Sequence, residues 1–134
     1  MKTGELLEKH PLATEVIRTW FFDQMVASFA DESVPEEFKE MMKQEGVTNE
    51  RLATLIDVQP RTLFDVFDEN DIFINIIKED STKFMWGYVD TTGNYIKDSL
   101  VKTRKEAEIT AIEKAFELLE IKLTPIELPE LEEN

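Results

Sequence analysis

Through the first seventy residues apolar side chains return every three or four positions, the repeat of helices that each turn one face inward. PLATEVIRTWFFDQMVASFA places Val16, Trp20, Met25 or Phe22, and Phe29 on such a face, with Pro11 in a first turn where its missing N–H costs nothing. DESVPEEFKEMMKQEG carries its own punctuation: Ser33 as a cap, Pro35 and two glutamates in the first turn, and Gly46 as a stop. Its inward stripe is expected to be Phe38, Met41 and Met42. Thr48 or Asn49 then caps NERLATLI, and Pro60 opens RTLFDVFDE, which makes about four helical elements.

At Asp71 the pattern changes. DIFINIIKE and KFMWGYVD are short runs rich in β-branched and aromatic residues, separated by EDST. TTGN leads into YIKDSLVK as a Gly-containing loop of the length that joins antiparallel neighbours, so three strands in a meander are expected. TRKEAEITAIEKAFELLEIKL follows as a helix. Thr103 and Glu106 form its capping box; Ala107, Ala111 and Ala115 fall on one line, flanked by Ile112, Phe116, Leu119 and Leu123. Small residues on that line let the helix lie close against the sheet. TPIELPELEEN, with two prolines and four glutamates, reads as a frayed acidic tail. The fold class is therefore α+β in one domain, residues 1–134: a helical part (1–70), a β-β-β-α part (71–123) and the tail (124–134). FINII and FMWGYV leave apolar residues on both faces of a small sheet. One face needs the N-terminal helices or a second subunit, which makes Phe84, Trp86 and Tyr88 the candidate protein interface and a homodimer the expected assembly.

Composition narrows the chemistry. A chain of 134 residues, 42% hydrophobic, can bury a core without staples. The absence of cysteine excludes disulfides, thiolate catalysis and sulfur-ligated zinc. Glu5 and Glu8 interrupt any signal-peptide core, and AIEKAFELLEIKL is too charged to span a membrane, so a soluble cytoplasmic protein is expected. The net charge of −14 repels phosphate backbones at long range and disfavours nucleic acid. Residues 83–105 are a local exception, with Lys83, Lys97, Lys102, Arg104 and Lys105 against two aspartates.

TNERLATLIDVQPRTLFDVF has the spacing of a helix-turn-helix, with Ala53 where the helices touch and Asp57 where glycine commonly makes the turn. The second helix would offer bases only Arg61 and Thr62, ahead of Asp65, Asp68 and Glu69; two merely packed helices explain the spacing equally well. Three strands before TRKEAE resemble the double-stranded-RNA-binding domain, whose basic helix start touches phosphates; Arg104 and Lys105 fit, but five glutamates further along the helix do not. Asp65, Asp68, Glu69 and Asp71 lack the order of a calcium loop and read as a solvated helix end. His10 is the only histidine, so no His-pair metal site can be built, and its place beside a proline near a mobile terminus makes a Ser-His-Asp triad unexpected. Neither phosphate-loop glycine motif occurs. Trp20, Trp86 and Tyr88 suit a ligand groove, though buried core aromatics are commoner. No catalytic, cofactor-binding or metal-binding residue is assigned.

FDVFDENDIFINI and YIKDSLVKTRKEAEITAIEKAFELLE resemble small proteins carried by bacterial phages and prophages, over roughly the last half of the chain. That resemblance implies a mobile-element origin and brings no activity and no catalytic residues. The expected function is that of a non-enzymatic, acidic accessory protein acting through protein–protein binding, its partner unspecified. The alternatives are a DNA-binding regulator using residues 49–68, an acidic nucleic-acid mimic that occupies a host enzyme's basic cleft, and, last, an enzyme using carboxylates.

Overall fold

The computed structural model describes residues 1–30, 32–80, 83–89 and 93–125. The acidic tail beyond residue 125 and parts of the EDST and TTGN links lie outside the described residues. Helices α1 (Thr3–Lys9), α2 (Pro11–Ser28), α3 (Glu36–Glu45), α4 (Asn49–Val58) and α5 (Thr62–Glu69) precede strands β1 (Ile74–Asp80), β2 (Lys83–Val89) and β3 (Tyr95–Val101), and α6 (Arg104–Leu123) follows them. The sheet is an antiparallel meander in the order β1-β2-β3, so the α+β reading holds.

The helical part has one element more than the sequence pattern suggests, because α1 precedes Pro11. The proline pushes His10 out of the helical region, to ψ 71°, which ends α1 and lets α2 start on the proline itself. The inward face of α2 also differs from expectation. Ala13, Thr14, Ile17 and Phe21 are buried, whereas Val16, Trp20, Met25 and Phe29 lie half-buried one residue round the helix. A helix apolar on so broad a face admits either stripe by periodicity, and the small residues allow the closer approach.

Caps follow the sequence where a side chain can reach a free amide. Thr48 Oγ1 accepts from Arg51 N at 3.2 Å and Thr103 Oγ1 from Glu106 N at 3.1 Å, while Glu106 Oε2 accepts from Lys102 N at 3.4 Å. Ser33 does not cap α3, whose cap position is Pro35, and Pro60 stands two residues ahead of α5. Beyond α5 the chain turns through Asp71 at φ 61°, with Ile72 N donating to Phe67 O (2.9 Å) and Asp71 N to Asp68 O (3.1 Å). These two bonds make a Schellman stop, with Asp71 in the left-handed position where glycine is commonest. Buried Ile72 follows directly and sends the chain into β1.

Helix α6 is the wall between two packed layers. Its Ala111 meets Trp86 and Tyr88 of β2, with Ile74, Ile76 and Ile96 around them. Ile112, Ala115, Phe116 and Leu119 face the other way, into a core shared with Leu7, Ile17, Leu52, Ile56, Leu63, Val66 and Phe67. The N-terminal helices therefore pack across α6 from the sheet, so of the two covers expected for its second face, these helices or a second subunit, the helices are not the one. On that second face Ile77 and, just ahead of the strand, Phe73 stay exposed.

Candidate functional site

Helix α3 is amphipathic in sequence but buries only Met42. Phe38 and Met41, expected in the core, remain 41% and 36% exposed. They face a cleft of about 800 Å³ that also takes in Met25 of α2, Val47, Ala53 and Leu55 around α4, and Gly4 and Glu8 of α1. Exposed large apolar side chains gathered along a concavity carry more information than scattered ones, because burying them elsewhere would have stabilised the fold.

Local chemistry holds the cleft open. Gly46 adopts φ 67°, ψ −160°, a region reserved in practice for glycine, and so swings the chain sharply between α3 and α4. Val47 anchors the turn in the core. Arg18 of α2 then clamps it, donating to the Val47 carbonyl and to Asn49 Oδ1 while its Nε pairs with Glu15 at 3.0 Å. From the α4 side, Arg51 reaches Glu45 Oε2 at 3.1 Å and Met42 Sδ at 3.5 Å, tying the end of α3 to α4. The start of α3 is held by the edge-on contact of Phe38 with Phe29, centroids 6.5 Å apart. A cleft lined by Met25, Met41, Met42 and Phe38 and bordered by charged residues can take an apolar surface from a partner; methionine's unbranched, polarizable side chain adapts to varied shapes.

The interface residues expected from sequence lie elsewhere, against α6. Trp86 and Tyr88 are buried under α6, their rings stacked at 5.8 Å, with Lys114 Nζ 5.6 Å from the Tyr88 centroid. Phe84 is half-buried beneath the Arg104 guanidinium, 5.9 Å from its centroid. All three alternate onto the face that α6 needs, so within one protomer they serve the core.

α4 packs mainly on α1, and α5 on α6 and α2. Asp57, expected to make the turn, is still helical and accepts from buried Thr3 Oγ1, while the turn falls at Gln59–Arg61. Arg61 is 72% exposed but paired with Glu108 of α6 at 3.0 Å, and Thr62 Oγ1 contacts Gln59 Oε1 at 3.4 Å. Farther along, Asp71 pairs with Lys122 at 3.6 Å. Asp68 binds its proton more tightly than an ordinary carboxyl, through partial desolvation first and the neighbouring Asp65 charge second. Among the described residues these carboxylates do not gather into a metal-ligand group.

His10 is buried, not part of a loose terminus. Its Nδ1 lies 3.0 Å from Leu6 O and therefore donates, and its ring sits 5.8 Å from that of Phe116. With Trp86, Lys114 and Glu117 it borders a smaller recess of about 380 Å³, and the buried Trp86 indole N–H has no hydrogen-bond partner among the described residues. No protein-family model, characterised protein or solved structure matches the chain.

Proposed function

We propose that the protein is a non-enzymatic accessory factor, of the phage or mobile-element kind, that acts by holding a partner protein in the cleft between α3 and α4. The observation that supports this reading is the pair Phe38 and Met41. A helix with only one buried residue keeps two large apolar side chains in water beside Met25 and Leu55, an arrangement that association with an apolar partner would relieve. The earlier candidates Phe84, Trp86 and Tyr88 are replaced in this role by Phe38 and Met41, because α6 occupies the face they line.

A photo-crosslinking residue placed at Met41 tests it. In extracts of cells that carry the protein, irradiation is expected to give discrete adducts with one or a few proteins from that position. The same probe at Ile121, 60% exposed on α6, should give none of them. Identical adducts from both positions, or none from Met41, would refute the cleft as the binding site.

A further inference from the structure

From the charge around this cleft we infer that its occupant is a cationic amphipathic helix of the partner protein. The inference rests on the cleft being a protein-binding site and adds the chemistry of what enters it. The floor supplies apolar side chains from neighbouring helices, Met25, Phe38, Met41 and Leu55, which suits anchors spaced i, i+3 or i+4, and i+7 on one helical face. The rim supplies uncompensated negative charge. Glu8 and Glu50 line the cleft and make no ion pair among the described residues, whereas the one cation of the lining, Arg51, is neutralised by Glu45. Exposed Glu37 and Glu40 flank Phe38 and Met41 on α3, again with no ion pair among the described residues, against Lys43 as the one unpaired cation of that helix. An acidic helix entering here would meet like charge with no free cation in the lining, and the whole-molecule charge of −14 would slow its approach; a basic one is steered in.

Three labelled peptides of about 18 residues, roughly 27 Å as helices, test this on the full chain by fluorescence anisotropy. One carries Leu at a/d spacing with Lys elsewhere; one has the same residues scrambled out of register; one has Leu at a/d spacing with Glu in place of Lys. The Leu/Lys helix is expected to bind saturably in the micromolar range, the other two at least about tenfold more weakly. Met41→Glu should weaken the Leu/Lys helix about tenfold or more, and Ile121→Glu should leave it unchanged. That contrast is diagnostic, because both substitutions add a negative charge and plain electrostatic attraction would tighten with each. Glu8→Gln with Glu50→Gln should weaken the same peptide several-fold at low salt and less at high salt. Circular dichroism of each variant checks that it folds. If the Leu/Glu helix binds as tightly as the Leu/Lys one and still depends on Met41, the cationic inference is overturned while the cleft remains the site. If Met41→Glu leaves Leu/Lys binding unchanged or tighter, or if no peptide binds, both fail.

Discussion

Glu120 closes the start of α2 from far along the chain, its carboxylate accepting from Leu12 N at 3.1 Å and Ala13 N at 2.7 Å, where His10 offers no side-chain cap. The bonds are charge-assisted and lie at the positive end of the helix dipole. Glu120→Ala should therefore cost about 1–2 kcal/mol in urea unfolding, and Glu120→Gln less, since one acceptor survives. Gly46 offers a cleaner case, as nothing lies within 4 Å of an added Cβ and the cost is that of the backbone alone. Gly46→Ala is expected to lose about 1–3 kcal/mol, and a stability equal to wild type would mean that the α3–α4 turn adopts another conformation. Asp68 works in the opposite sense. Its folded-state pKa is raised, so ionisation costs stability as pH climbs from the ordinary carboxyl value through the folded one. Asp68→Asn should stabilise above that window, and the difference should vanish below it when urea midpoints are compared at acidic and neutral pH.

Among the elements, those fixed by local chemistry were legible in the sequence. The Thr48 and Thr103 caps, the three strand-length runs and the alanine line of α6 appear where expected, because each depends on neighbours a few residues away. What was not legible depends on contacts distant in sequence. The rotation of α2, the capping by Glu120 and the role of α6 as a wall are set by packing, and periodicity does not encode which neighbour a face meets. The cleft was missed for the same reason: Phe38, Met41 and Met42 read as one buried stripe, and only tertiary packing shows that Met42 alone is covered. Ala111 joins the two kinds of information. It is fully buried against Trp86 and Tyr88, so Ala111→Leu should prise α6 from the sheet at a cost of about 1–3 kcal/mol, while Ala→Leu elsewhere on an exposed helix face would be nearly neutral. Trp86→Glu should unfold the protein rather than report on association, because it puts a charge under α6. Assembly through the sheet is better tested at exposed Ile77, on the face that the described residues of α6 leave open.

For the molecule as a whole, the decisive quantity is where its few cations go. Arg61, the only base-reading cation of the presumed recognition helix, is engaged by Glu108, and Lys122 by Asp71. Lys83, Lys102, Arg104 and Lys105 do lie at one end of the sheet, where β2 begins, β3 ends and α6 starts, yet Arg104 rests over Phe84 and the rest of the chain is more acidic than the whole-molecule charge of −14. Duplex binding needs several phosphate contacts on a surface that also presents a reading element, and here Arg61, although its partner Glu108 lies one helical turn from Arg104, is held by that carboxylate in a chain of net charge −14. We therefore expect no binding to random duplex DNA or RNA tighter than about 100 micromolar at physiological salt, the weak limit of non-specific association. Labelled duplex titrated at low and moderate salt checks this. Arg61→Ala should leave the titration flat and change folding stability by less than about 1 kcal/mol, the usual scale of an exposed ion pair. Saturable binding that weakens steeply with salt and disappears in Arg61→Ala would mean that Glu108 yields its arginine to phosphate, and would restore the helix-turn-helix as a functional reader.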